Sequence, residues 1–315
     1  MVEQWPFKPF VTGSNPVRPK IMKILLTLFL LFFTTIGFSE TTEIYLDSTY
    51  LKKNLLINAD YYSNSRENKK VAISIHGTRG FKGMEVISAL SDNLLDLDID
   101  TIAPNISYGI NDRENEFLSC DIEHLHNRYA NIDEIIRWFI FAIEKDYQDI
   151  ILIGHSRGGQ DIIQAYNRIL KVYPEESKKI SSIVLLAPLG DNIDEINISI
   201  QKSHSTTIRE LMDKDDNEFV KINFLNCNNA TVKISSFLSY YNLSHHEQLV
   251  PMLTDINIDT YVFTASEDTF VPKTHTKVSQ IKNDNINLLQ IDGADHFFRD
   301  LFLDDVVDNL SNFIE

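Results

Sequence analysis

Cysteine is almost missing: Cys120 and Cys227 are the only two among 315 residues. Two are too few for the disulfide framework on which small secreted domains depend. They could pair in an oxidising compartment, but the expectation is two unpaired thiols. Basic residues are also scarce, 29 Lys and Arg against 45 Asp and Glu, for a formal net charge of −16. That argues against nucleic acid as a partner, because phosphate binding needs clustered cations. It also disfavours anionic membrane surfaces. Internal repeats are absent, as are low-complexity tracts beyond a general richness in Asn, Asp and Ile.

A long apolar run is lacking too. The one candidate, Ile24 to Phe38 behind Met22-Lys23, has about 15 residues, short of the roughly 20 that span a bilayer. Its basic start, and the small residues Gly37 and Ser39 ahead of a cut before Glu40, read as a secretory signal peptide over residues 22–39. No cysteine follows to carry a lipid anchor, so no stable membrane span is expected after cleavage. Residues 1–21 have no periodicity and make an odd leader. Gly13-Ser14-Asn15-Pro16 is what GGT-TCG-AAT-CC encodes, which resembles the T-arm of a transfer-RNA gene. The expectation is a misplaced start, with translation from Met22 and a mature protein that is secreted or periplasmic.

What the chain does have is enough apolar residue, 43%, to bury a substantial core. Two strands are expected at EIYLDSTY and NLLINADYY, followed by a buried strand at Val71–Ile75 that stops at a glycine turn. Helical spacing in MEVISALSDNLLDL, a strand at TIAPNIS and an amphipathic helix at IDEIIRWFIFAIEKD come next. The strand DIILIG, the helix QDIIQAYNRILKVY and the strand SSIVLLAP continue the alternation, which indicates βαβ units and a mostly parallel sheet with helices on both faces. It pauses over 190–257 and resumes with DTYVFTA, NLLQID and a last helix. A pause of that length is too long for a bare loop. The expected organisation is one α/β core, 40–189 and 258–315, carrying a helical lid insertion over 190–257.

Gly154-His155-Ser156-Arg157-Gly158 lies between an expected strand and an expected helix. This G-x-S-x-G context suits a nucleophile thrust out on a sharp turn, although glycine–serine turns also end strands in proteins that catalyse nothing. A serine nucleophile needs a base, and the base needs an acid to orient it. His296 follows the last expected strand, while Glu267 and Asp268 follow the strand before it. All fall at C-terminal strand ends, where open α/β sheets form their sites.

In these features, over roughly Val71 to Glu315 outside the insertion, the chain resembles the α/β-hydrolase family. His76-Gly77-Thr78 is similar to the family's oxyanion turn, and Asp268-Thr269-Phe270-Val271-Pro272 to its D-x-x-V-P acid motif. The resemblance implies a triad of Ser156, His296 and Asp268, with Glu267 as the alternative acid. It implies an oxyanion hole made by the backbone N–H groups of Thr78 and Arg157, each such donor worth roughly 3–4 kcal/mol. It implies hydrolysis of a small-molecule carboxylic ester with no metal or organic cofactor. A peptidase or amidase using the same triad is the alternative, and a non-catalytic binding module a more distant one.

Several residues carry two readings. Arg79, Tyr240 and Tyr241 are candidates for substrate contact; the tyrosines, with Phe237 and Leu238, could equally pack the lid onto the core. The Arg157 side chain is expected to form ion pairs rather than to meet substrate. His124 and His126 follow Cys120-Asp121 in a pattern that alternates like metal ligands, but a polar structural loop is the expected reading. His76 and His155 are expected to support packing, and His204, His245 and His246 to be solvated.

Overall fold

The strand Asp149–His155 (β5) sets the pattern of the molecule. Ile150, Ile151, Leu152 and Ile153 are all buried, yet they serve two cores: Ile150 and Leu152 join one apolar cluster, Ile151 and Ile153 another. Successive side chains of a strand point to opposite faces, so a strand without polar alternation must be covered on both sides. The computed structural model describes residues 40–64, 68–190 and 193–314, and the residues expected to form the leader, 1–39, lie outside them.

The hairpin of β1 (Glu40–Tyr50) and β2 (Lys53–Ser63) forms one edge of an eight-stranded sheet, and β2 pairs antiparallel with β4 (Asp100–Pro104). From there every pairing is parallel, through β3 (Lys70–Ile75), β5 and β6 (Ile180–Leu186) to the last two strands, Thr260–Ala265 and Ile286–Ile291. On one face lie α2 (Arg128–Glu144) and α3 (Arg157–Val172), whose Ile135, Trp138, Phe139, Ile162 and Ile163 meet Ile73, Leu152 and Leu185. On the other lie α1 (Glu85–Asp96) and the C-terminal helix Phe302–Ser311, packing Leu90, Leu94, Val306 and Leu310 against Ala72, Val184 and Phe263. Among the described residues no helix is long and apolar enough to cross a membrane.

Between β6 and the next strand of the sheet the chain builds α4 (Ile193–His204), α5 (Ile208–Met212), an antiparallel hairpin of β7 (Phe219–Phe224) and β8 (Cys227–Lys233), then α6 (Ile234–Tyr241) and α7 (Leu249–Thr254). Most of this segment has a core of its own, including Ile208, Leu211, Ile222, Phe224, Val232 and Phe237. α7 differs, since Leu249, Met252 and Leu253 pack into the main core beside α3. The helix expected around Thr206–Asp215 is α5, opened by a reciprocal cap between Thr207 and Glu210. The hairpin was not expected. With β9 (Thr260–Ala265), α8 (Thr274–Val278), β10 (Ile286–Ile291) and α9 (Phe302–Ser311) the fold is complete.

The cysteines correct the sequence reading. Cys120 and Cys227 form a disulfide with their Cα atoms 5.4 Å apart across 107 residues of chain. Backbone pairing brings them together: His124 N–H donates to Thr231 O at 2.9 Å and Lys233 N–H to His124 O at 3.1 Å. The loop after β4 thus runs alongside β8, and the sulfurs meet where the inserted hairpin turns.

Candidate active site

Ser156 stands between β5 and α3 with φ 54° and ψ −119°, a left-handed backbone that non-glycine residues rarely hold. Such a conformation costs on the order of 1–3 kcal/mol and persists only where the surroundings impose it. Here Ser156 N–H donates to Leu186 O at 2.8 Å, and Ser156 O accepts from Gly159 and Leu189 at 3.1 and 3.0 Å. The flanking glycines are steric requirements. A Cβ on Gly154 would lie 2.4 Å from the Gly158 carbonyl oxygen, and one on Gly158 would lie 2.4 Å from that of Ile75. Strand and helix approach so closely that only glycine fits on either side of the serine.

The other groups converge on this turn from neighbouring strand ends. Asp268, just past β9, accepts a 2.7 Å hydrogen bond on Oδ2 from His296 Nδ1, just past β10. Its Oδ1 accepts from the backbone N–H groups of Phe270 and Val271 at 2.7 and 2.9 Å. Burial alone would raise the Asp268 pKa, but the hydrogen bonds from His296, Val271 and Phe270 outweigh it and hold the carboxyl below its ordinary value. Both side chains are only 4% exposed. Glu267 is exposed, so Asp268 is the carboxylate that meets the imidazole. His296 is enclosed by Phe270 and Phe297, with ring centres 4.9 and 5.1 Å away.

Two other histidines hold backbone in place. His155 Nε2 donates to His296 O at 3.0 Å, tying the serine turn to the histidine loop. His76 bonds Gly77 O through Nδ1 and accepts from Ile106 N–H through Nε2, at 2.9 and 3.2 Å. Burial pushes both pKa values down to about 3, so both rings stay neutral. Arg113, which the sequence reading did not single out, fixes the same turn by donating to Gly80 O at 2.6 Å and Ile106 O at 2.8 Å.

Ser156 and His296 line one cavity of about 320 Å³, together with Thr78, Arg79, Arg157 and Tyr241. Arg157 opens α3, where the N–H groups of the first turn point out of the helix. Its guanidinium donates to Thr78 Oγ1 at 3.2 Å and lies over the Tyr240 and Tyr241 rings at 5.6 and 5.8 Å. Of its two readings Tyr240 takes the packing one. It is fully buried, with its hydroxyl 2.7 Å from Asn131 Nδ2 and 2.8 Å from His126 Nδ1, and it does not line the cavity. His124 and His126 hydrogen-bond each other at 3.1 Å beneath the hairpin. Phe117, Leu189, Asn226, Phe270 and Phe297 also line the cavity and were missed. Phe270 and Phe297 flank the acid and the base in sequence, so adjacency could have pointed to them. Asn226 had no such signal, because its place depends on the unforeseen hairpin.

The comparisons with known proteins agree with this architecture. No family model matches the chain, and no curated protein matches it either. Solved structures do. Est1E from Butyrivibrio proteoclasticus, in its form with bound ferulic acid, superposes with a TM-score of 0.61 at 17% identity, over 86% of this chain and 97% of that one. A presumptive hydrolase from Agrobacterium vitis gives 0.63 at 16% over 88% and 99%. The esterase domain of a Rhodothermus marinus protein gives 0.55 at 12% over 86% and 97%. The chain has the α/β-hydrolase fold. At such identities the likeness carries the fold alone, and the chemistry must come from the site itself.

Proposed function

We propose that this protein is a serine hydrolase that cleaves carboxylic esters of small molecules. The observation that carries the reading is the joint placement of a strained serine and an Asp-bound imidazole on one cavity. With Nδ1 donating to Asp268, the ring nitrogen left to act as base is Nε2. In this mechanism Nε2 takes the Ser156 hydroxyl proton as Oγ attacks the ester carbonyl carbon. The carbonyl π electrons move onto oxygen, where the N–H groups of Thr78 and Arg157 would receive the charge. Collapse expels the alcohol, which leaves with the proton from His296. Water then repeats the sequence on the acyl-enzyme and frees the acid. Asp268 stays ionised and keeps the imidazole in the working tautomer.

The inserted segment supplies Tyr241 and Asn226 to the cavity wall, so we assign it the part of a lid that shapes specificity. The peptidase alternative would need an acidic group to hold a substrate amine, and the cavity wall offers none among the described residues. Entry to the secretory route through residues 22–39 belongs to the same proposal, as does small-molecule rather than macromolecular substrate.

The test is a series of p-nitrophenyl esters of increasing acyl length, run with Ser156→Ala alongside. Turnover should fall by on the order of 10⁵-fold in the variant, and a fluorophosphonate should label Ser156 in the parent. A folded protein that shows neither turnover nor labelling is not a serine hydrolase.

A further inference from the structure

The chain carries 45 acidic residues against 29 basic ones, yet no Asp or Glu lines the active-site cavity among the described residues, while Arg79 and Arg157 do. The two arginines are committed differently. Arg157 donates to Thr78 and lies over two tyrosine rings, which makes it part of the wall. Arg79 belongs to the turn that follows β3, in a left-handed conformation with φ 54°. Its backbone is pinned on both sides: its N–H donates to Tyr108 Oη at 3.1 Å, and its carbonyl accepts from Leu118 N–H at 2.9 Å. The same turn approaches the nucleophile closely, for a Cβ on Gly77 would lie 3.0 Å from Ser156 Cβ.

The Arg79 side chain is held as firmly. Nη1 donates to Leu118 O at 2.9 Å and rests 2.6 and 2.9 Å from the Cys120 and Cys227 sulfurs. Each of these partners is neutral, and no carboxylate pairs with Arg79 among the described residues. A half-buried guanidinium with neutral partners alone is poorly compensated, and its planar fork matches a carboxylate in two hydrogen bonds. The rigid backbone and the disulfide fix this cation at the cavity wall in advance of any ligand.

We propose that Arg79 is the anion anchor of the site and that the substrate is an ester bearing a carboxylate, which Arg79 grips while Ser156 attacks. This rests on the ester-hydrolase reading above. The disulfide then has a positioning part: by holding Nη1 it keeps the guanidinium turned to the cavity. A carboxylate on either arm of the ester, acyl or alcohol, fits the proposal.

Two isosteric pairs test it, with kcat/KM as the readout. On the acyl arm these are the p-nitrophenyl monoesters of adipic acid and of adipamic acid, a carboxylate against a carboxamide. On the alcohol arm they are 3-carboxyphenyl and 3-carbamoylphenyl hexanoate. The wild-type protein should favour the carboxylate member of at least one pair by roughly tenfold or more. That preference should shrink between about 10 mM and 0.5 M NaCl, as screening weakens the ion pair. Arg79→Met should lower the carboxylate-to-carboxamide ratio by roughly ten- to a hundredfold, and Arg79→Lys should recover part of it. Joint Cys120→Ser and Cys227→Ser substitution should reduce the ratio without abolishing it. Equal turnover within both pairs overturns the inference, and so does a preference that survives Arg79→Met or ignores salt. The salt series on unmodified protein decides the matter even if Arg79→Met fails to fold. Turnover of none of the four esters overturns the ester reading and the inference with it, whereas turnover without preference overturns the inference alone.

Discussion

Two buried aspartates pair with a buried ring or guanidinium group, and they are built for different ends. Asp268 receives a hydrogen bond on each oxygen, His296 on one and two backbone N–H groups on the other. Asp161, on α3, meets Arg128 Nε at 2.7 Å, but Nη1 and Nη2 of that fully buried arginine find no acceptor among the described residues. The first pair uses Nδ1 of the ring and leaves Nε2, the nitrogen of the proposed chemistry, outside its own hydrogen bonds. The second is a structural contact between α2 and α3, beneath α6, where Ser239 Oγ accepts from Arg128 N–H. A buried charge must be matched by opposite charge or by oriented dipoles. Which match is used decides whether loss of the pair is felt in rate or in stability.

The largest expected effect breaks the first pair. Asp268→Asn should leave the fold nearly intact, because the amide can still accept from Phe270 and Val271. It should cut kcat by on the order of 10⁴-fold, since the imidazole would settle in the wrong tautomer; steady-state kinetics and circular dichroism measured together check both halves. Asp161→Asn should do the reverse. It strands the Arg128 charge in the core and should cost about 3–5 kcal/mol in a urea titration, with activity per folded molecule little changed. If instead Asp161→Asn abolishes activity and spares stability, the contrast between the two pairs is wrong.

The same contrast accounts for what could be read from the sequence. Asp268, Ser156 and His296 sit beside signals set by local chain geometry: glycines that must be glycines, a D-x-x-V-P stretch, and strands with no polar alternation. The parallel sheet was legible for that reason, and the observed strands fall within three residues of the expected ones. The Arg128–Asp161 pair, the disulfide and the inserted hairpin depend on contacts between distant segments, which periodicity does not report. The hairpin had a faint signal, since Val220, Ile222 and Phe224 alternate toward its core. Its turn, Leu225-Asn226 with both φ positive, lacks the Asn-Gly that marks such turns. The sequence could not choose between the two readings of Tyr240, because an aromatic run on a helix shows two faces and only the structure shows that this one points into the molecule.

A smaller effect belongs to the disulfide. It closes a stretch of 107 residues, for which chain entropy gives close to 5 kcal/mol as an upper figure. Backbone pairing of His124 with Thr231 and Lys233 already holds the two segments together, so the measured loss should be about 2–4 kcal/mol. Thermal melts with and without reductant would show it, and the double serine variant should be insensitive to reductant.

The smallest effect comes from a third buried carboxylate, which has no cation in contact. Glu134, on α2, accepts from Ser107 through both the backbone N–H and the hydroxyl, and makes no ion pair among the described residues. Burial pushes its pKa up to about 7, against the opposing pull of the Ser107 hydrogen bonds and of Arg113. The folded protein therefore holds this proton more tightly than the unfolded chain does. Its contribution is complete below the unfolded value near 4.5 and is lost as pH rises through about 7. His76 and His155, held neutral by burial, make total stability rise with pH up to about 6.5. The Glu134 share is therefore read as the difference between wild type and Glu134→Gln, which should fall by on the order of 2–3 kcal/mol across the window. Urea midpoints measured at intervals from pH 5 to pH 8 would decide it. A difference between wild type and Glu134→Gln that does not fall through this window would mean that Glu134 is ionised in the fold, and dipoles alone would then suffice to hold a buried charge here as they help to do at Asp268.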